Sequence, residues 1–289
     1  MHTFHKEDFV CAGTAKLFYR AAGKGEPLIV VHGGPGLCQD YLLPQLYRLA
    51  ENNLIIFYDQ RACGQSTGDI TPSTMNIETF VHDLDAIREA LHFPKISILG
   101  HSWGGFLAMQ YTIAHPERVA KLILSNSIPA SLEEYTLFEQ EKTRRLTPYQ
   151  KELDAIHLTK AFAEGNPEIM EKLYRMFFSV YCYDPEKVQL LNLRMSSSAY
   201  LRYSQVYEQF RNTLYKKYFN LYSALQSLKT PTLIIHGDAD PIPPNAAQKI
   251  HESIKDSQYV LLTNCGHFPY VEKPHAWFKH IKDFLSTKA

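Results

Sequence analysis

Short apolar runs that alternate with helical periodicity are the feature that most constrains the fold of this chain. The runs are rich in β-branched residues and bounded by turn residues, which is typical of buried strands. Strands that alternate with helices favour a parallel sheet covered by those helices. The runs are PLIVVH (27–32), LIIFYD (54–59), ISILG (96–100), LILSN (122–126), TPTLIIHGD (230–238) and QYVLLTN (258–264).

One helix of this alternation is clear between the second and third runs. Phe80, Leu84, Ile87 and Leu91 recur at a spacing of three or four residues and form one apolar stripe. We therefore expect an α/β fold with a mostly parallel sheet and helices on both of its faces.

The strand signal disappears between residues 129 and 228, where the sequence is charged, aromatic and helical in spacing. Strand signals then resume until the end of the chain. We therefore predict that residues 1–128 form the first part of the α/β core, residues 129–228 a helical insertion, and residues 229–289 the second part of the core.

Composition argues against nucleic-acid and anionic-membrane partners. The 289 residues include 30 basic and 30 acidic side chains, whereas nucleic-acid and anionic-membrane surfaces usually require a basic excess.

The sequence contains no signal-peptide pattern and no apolar run of about 18 residues, so we expect a cytoplasmic protein without a membrane partner. Its five cysteines lack metal-binding spacing, so we expect no metal. No feature indicates an oligomeric state.

The motif Gly100-His101-Ser102-Trp103-Gly104 lies where a predicted buried strand turns directly into a predicted helix. A nucleophile elbow reverses the chain so sharply that only small residues fit two positions before and after the serine. Gly100 and Gly104 meet this requirement. The elbow would display the Ser102 hydroxyl at a helix N-terminus, which makes Ser102 the candidate nucleophile.

A serine nucleophile requires a histidine base and a carboxylate, in the chain order Ser, Asp, His. Asp240 follows the predicted strand that ends at Gly237, and His267 follows the last predicted strand. Asp238 is the rival acid on the same loop, and Asp240 is favoured because it lies three residues after the glycine. His32, His101 and His236 are interpreted as structural or hydrogen-bonding residues.

The same chemistry requires an oxyanion hole. The backbone N–H of Trp103, directly after the nucleophile, is one candidate donor. The loop His32-Gly33-Gly34-Pro35-Gly36 offers the second. Gly34 is the first choice and Gly33 the reserve, and a purely structural Gly/Pro turn is the competing interpretation.

Three motifs together, HGGPG (32–36), YDQRACGQS (58–66) and GHSWGG (100–105), resemble the proline iminopeptidase branch of the α/β-hydrolase superfamily. The resemblance implies an α/β-hydrolase fold, a helical cap formed by the insertion, and no cofactor. It also implies release of N-terminal residues, often proline, from short peptides. We call residues 129–228 the cap segment.

The sequence departs from this family at two places. Ala62 replaces the first glycine of the usual DQRGxGxS motif, and Pro241 replaces an acid that some members use to bind the substrate's amine. In the cap segment, Glu208 beside Tyr203 and Tyr207 is the candidate for binding that amine. The alternative is that these tyrosines are a helix-packing stripe with Glu208 on its solvated flank.

The sequence therefore predicts a serine hydrolase with Ser102 as nucleophile, His267 as base and Asp240 as the orienting acid. Aminopeptidase activity on short peptides is the first form considered. The alternatives are a carboxylesterase or other small-acyl hydrolase, and a ligand-binding protein without activity on the same fold.

Overall fold

An eight-stranded sheet forms the centre of the protein, which the computed structural model describes for residues 4–214 and 219–287. The strand order is β1-β2-β4-β3-β5-β6-β7-β8. β2 pairs antiparallel with both β1 and β4, and all other neighbouring strands pair parallel. The strands are β1 (Lys6–Ala12), β2 (Ala15–Ala22), β3 (Pro27–Val31), β4 (Leu54–Tyr58), β5 (Ile96–His101), β6 (Val119–Ser125), β7 (Thr232–Gly237) and β8 (Gln258–Leu262).

The apolar runs of the sequence correspond to β3 through β8. Most residues of β3 to β7 are buried, as expected for strands covered on both faces. β1 and β2 are additional strands that the run pattern did not predict. Most of β1 is exposed, and Lys16 and Arg20 interrupt the buried apolar residues of β2, so neither strand of this hairpin forms a continuous apolar run.

The helices form three groups of successive contacts. One group links α1, α2, α8 and α9, a second joins α10 to α11, and a third links α4, α5, α6 and α7. Among the described residues, no helix combines the length and apolar character that crossing a membrane requires. The helices are α1 (Ile77–Ala90), α2 (Trp103–Ala114), α3 (Leu132–Leu146), α4 (Gln150–His157), α5 (Lys160–Ala163), α6 (Pro167–Ser179), α7 (Ser197–Thr213), α8 (Tyr222–Leu225), α9 (Pro244–Ser253), α10 (Pro269–Glu272) and α11 (Pro274–Ser286).

The cap segment contains helices α3 to α8 between β6 and β7. Its described residues, 129–214 and 219–228, form no strand, and a single bridge pairs Ser131 with Asn220. The helical content is as predicted, and its status as a separate domain stays a prediction.

The carboxyl ends of β5, β7 and β8 lie along one edge of the sheet because these strands run parallel. Ser102 follows β5, Asp240 follows β7 and His267 follows β8. Open α/β sheets bind their ligands at this edge.

Candidate active site

Ser102 occupies a strained turn between β5 and α2. Its backbone has φ +58° and ψ −122°, a conformation that side chains larger than glycine rarely adopt. The turn is closed by glycines: a Cβ on Gly100 would lie 2.3 Å from the carbonyl oxygen of Gly104, and a Cβ on Gly104 would lie 2.0 Å from that of Val31. No larger residue fits either position, which is the steric condition for an elbow.

His267 and Asp240 are hydrogen-bonded to each other. His267 Nδ1 lies 2.8 Å from Asp240 Oδ2, and both side chains are buried. Asp240 Oδ2 also accepts from Asn126 Nδ2 at 2.6 Å. Burial alone would raise the pKa of Asp240, but the charge and hydrogen bond of His267, with the Asn126 bond, lower it below its ordinary value. The acid is therefore ionised and holds the imidazole by its Nδ1 atom.

Asp238 points elsewhere. Its Oδ1 accepts from the Cys265 N–H at 3.2 Å. The geometry therefore favours Asp240 over Asp238 as the partner of His267.

One cavity brings Ser102 and His267 together beneath the cap segment. Aromatic side chains form most of its wall, with the charged pair Glu139 and Lys142 from α3. The lining residues are Gly33, Gly34, Leu37, Tyr41, His101, Ser102, Ile128, Tyr135, Phe138, Glu139, Lys142, Phe177, Phe178, Tyr181, Tyr203, Tyr207, His267 and Phe268.

The predicted substrate residues of α7 divide between two faces of that helix. Tyr203 and Tyr207 line the cavity, but Glu208 does not. The Glu208 side chain is 50% exposed and pairs with Arg211 at 3.1 Å. The prediction for Glu208 was wrong because each helical residue is rotated by about 100° from its neighbour, which turns Glu208 away from the face that carries Tyr207.

The loop of residues 32–36, called the glycine loop below, has two N–H groups that differ in their hydrogen bonding. The Gly33 N–H donates to the Tyr41 hydroxyl at 2.7 Å, whereas the Gly34 N–H has no protein acceptor among the described residues. Gly34 lines the cavity, and its φ of +130° suits glycine alone. Trp103 is the first residue of α2. Gly34 therefore remains the better donor candidate beside Trp103.

His101 joins this loop to the loop of His267. Its Nε2 donates to the His267 carbonyl oxygen at 2.8 Å, and its Nδ1 accepts from the Tyr41 hydroxyl at 2.7 Å. Burial lowers the pKa of His101 to about 3, so the ring is neutral and can accept at Nδ1. His101 is the hydrogen-bonding residue expected from the sequence.

The motif at residues 58–66 is hydrogen-bonded to the glycine motif at residues 32–36. His32 Nδ1 donates to the Gly33 carbonyl oxygen at 2.8 Å, and His32 Nε2 accepts from the Gln60 N–H at 3.0 Å. The Gln60 amide in turn donates to the His32 carbonyl oxygen and accepts from the Trp103 indole at 2.9 Å. Residues 58–66 thus fix the glycine loop and the start of α2 relative to each other.

Comparison with known proteins agrees with this geometry. A family model described as the alpha/beta hydrolase fold matches residues 26–274. The chain belongs to the α/β-hydrolase family.

Within this family the hydrolase is similar to proline iminopeptidases. The proline iminopeptidase of Lactobacillus acidophilus is 32% identical, over 93% of this chain and 94% of that protein. An α/β-fold hydrolase structure from Bacillus anthracis has a TM-score of 0.75 at 21% identity, covering 98% of this chain and 100% of that one. An esterase structure from a Rhodococcus species has a TM-score of 0.71 at 22% identity, covering 98% and 99%. These two structures share the fold.

Three residues of this hydrolase's site were missed at the sequence level. Asn126, which bonds Asp240, directly follows β6, and its position at a strand end was a usable signal. Glu139 falls one turn after Tyr135 on α3, so an acid within an aromatic stripe could have indicated it. Tyr41 had no local signal, because no spacing rule links it to Gly33, eight residues earlier, or to His101, sixty residues later.

Proposed function

We propose that this α/β-hydrolase is a serine aminopeptidase that releases N-terminal residues, with proline as the first candidate, from short peptides in the cytoplasm. The observation that carries the proposal is that Ser102, His267 and the carboxylate of Glu139 line one cavity. A reactive hydroxyl, a base and an anion for an amino terminus are the groups that an exopeptidase requires.

In this proposal Ser102 Oγ attacks the scissile carbonyl carbon, and His267 Nε2 takes its proton. Nε2 is the atom available for this step because Asp240 binds Nδ1. The imidazolium then gives the proton to the leaving amine as the C–N bond breaks. A water molecule, deprotonated by the same histidine, hydrolyses the acyl-enzyme and regenerates Ser102.

The N–H groups of Gly34 and Trp103 are the proposed oxyanion hole. Both residues lie beside Ser102, one in the glycine loop and one at the start of α2. Each donor contributes roughly 3 kcal/mol of transition-state stabilisation in comparable hydrolases. The network from Gly33 through Tyr41 to His101 holds the glycine loop in place for this task.

Glu139 replaces Glu208 as the proposed site for the substrate's ammonium group. Glu139 lines the cavity among aromatic residues with its side chain 35% exposed, and a cation partly desolvated there needs an anionic partner. Pro241 supplies no such charge. Lys142 pairs with Glu139, so the substrate must share this carboxylate.

The nucleophile is tested by a fluorophosphonate probe, which should label wild-type protein at Ser102. Ser102→Ala should lose both labelling and turnover. Labelling at another residue, or full activity in the alanine variant, contradicts the proposed mechanism.

The substrate is tested by comparing Glu139→Gln with Glu208→Gln. Glu139→Gln should raise KM for free-amine substrates about 10- to 100-fold, as expected for a lost hydrogen bond to a charged group. It should leave uncharged esters nearly unchanged, and Glu208→Gln should change neither. The double variant Glu139→Gln/Lys142→Met separates loss of the anion from exposure of an unpaired lysine.

A carboxylesterase is the second candidate, and a specific observation favours it. Lys142 already neutralises Glu139, and the remainder of the wall is largely aromatic, which suits an uncharged acyl group. If N-acetylated and free-amine substrates react equally well and Glu139→Gln is silent, the esterase replaces the aminopeptidase.

A further inference from the structure

The loop that carries His267 rests directly on residues 180–183 of the cap segment. The His267 N–H donates to the Tyr181 carbonyl oxygen at 2.8 Å. Next to it, a Cβ on Gly266 would lie 2.2 Å from the same oxygen and 2.7 Å from the Tyr183 nitrogen. The two backbones are therefore in contact with no space for a side chain between them.

Glu272 in α10 joins these two segments through one carboxylate. Its Oε2 accepts from the Tyr183 N–H at 2.7 Å. Its Oε1 accepts from the Gly266 N–H at 3.0 Å and the Phe268 N–H at 3.4 Å. The N–H groups on both sides of His267 are thus held by Glu272, and that of His267 itself is held by the cap.

Arg145 of α3 links the same cap residues to the loop of the acid. Arg145 Nη1 donates to the carbonyl oxygens of Val180, at 3.1 Å, and Ala239, at 2.8 Å. Ala239 directly precedes Asp240. Residues 180–183 are therefore tied to both loops, to the His267 loop by Glu272 and to the Asp240 loop by Arg145.

We propose that Glu272 is a positioning residue, which ties cap residues 180–183 to the His267 loop and so keeps the imidazole aligned with Asp240. The inference rests on the roles proposed above for His267 and Asp240. It makes the cap segment part of the scaffold of the active site in addition to a cover for the substrate. Glu272 acts through backbone groups and touches no reacting atom.

Glu272→Gln tests this inference. A glutamine amide has one acceptor oxygen, and its NH2 group cannot accept a hydrogen bond. The variant therefore loses the bond from the Tyr183 N–H or the bond from the Gly266 N–H. A misplacement of about 1 Å costs roughly 10²-fold in rate, so kcat for p-nitrophenyl acetate should fall by about that factor with KM little changed.

Glu134→Gln is the matched control. Glu134 is also a buried carboxylate of the cap segment, and it bonds Tyr222 within the cap and Lys249 in the core. It makes no hydrogen bond to the His267 loop among the described residues. Its glutamine variant should lose thermal stability but keep kcat and KM.

Arg145→Met removes the bonds that link Val180 to Ala239 in the Asp240 loop. This variant covers the case in which Glu272→Gln does not fold. It should lower kcat with little change in KM. Wild-type kcat in folded Glu272→Gln, or in Arg145→Met if the first variant is unfolded, overturns the inference, as does an equal loss in Glu134→Gln. Activity in His267→Ala instead refutes the proposed function, so the two failures are distinguishable.

Discussion

Replacing Tyr41 by phenylalanine removes one hydroxyl that serves two parts of the site. Tyr41 is buried, and its hydroxyl accepts from the Gly33 N–H and donates to His101 Nδ1, both at 2.7 Å. Tyr41→Phe leaves both groups buried without a partner. Each such group costs about 1–3 kcal/mol, so the free energy of unfolding should fall by about 2–6 kcal/mol. That is a large share of the roughly 5–15 kcal/mol typical of a folded domain.

Catalysis should suffer as well, because Gly33 precedes the proposed donor Gly34. A loop that moves to satisfy the Gly33 N–H displaces the Gly34 N–H from the oxyanion. We therefore expect a lower kcat for p-nitrophenyl acetate, with a smaller effect on KM.

Tyr58 provides the matched control. Its hydroxyl is also buried but has no hydrogen-bond partner among the described residues. Tyr58→Phe removes an unsatisfied group, so urea unfolding should show a change within about 1 kcal/mol or a gain in stability. An equal loss of stability in the two variants refutes the reasoning, because the loss would then come from the hydroxyl's volume and not from its hydrogen bonds.

Three further predictions concern the acid, the buried histidine and a strained turn. Asp240→Asn should lower kcat roughly 10⁴-fold in ester hydrolysis by stabilising the wrong histidine tautomer, whereas Asp238→Asn should have little effect. His101 has a pKa of about 3 in the folded protein and about 6.5 in the unfolded chain, so the stability it confers is complete above pH 6.5 and is lost as pH falls. Urea unfolding at pH 7 and pH 5 should therefore show about 2 kcal/mol more loss in wild type than in His101→Gln. Ala62 has φ +60°, so Ala62→Gly should raise the free energy of unfolding by about 0.5–1 kcal/mol, the strain relieved less the entropy cost of glycine.

Each of these three predictions has an outcome that would contradict it. A larger effect of Asp238→Asn would move the acid to that residue. Identical pH dependence in wild type and His101→Gln would show that the ring has the same pKa in the folded and unfolded states, so that its burial does not suppress protonation. Destabilisation by Ala62→Gly would show that the packing of the buried methyl group outweighs the strain.

The sequence by itself determined the features that depend on local sterics and on the period of apolar residues. Buried parallel strands need continuous apolar runs, so β3 to β8 were predictable. The turn at Ser102 needs glycine at positions 100 and 104 because a Cβ there meets backbone within about 2.3 Å. The order of strand ends then placed Asp240 and His267 at the edge that carries Ser102.

The tertiary structure decided which of several similar side chains face the cavity. Glu139 and Glu208 are both acids on cap helices, and only the packing of α3 and α7 turns the first inward and the second toward solvent. Likewise, the sequence left Gly33 as a reserve donor beside Gly34, and the structure shows that Tyr41 occupies the N–H of Gly33. Such choices depend on the rotation of a helix and on the placement of side chains by tertiary packing, and neither is encoded in local spacing.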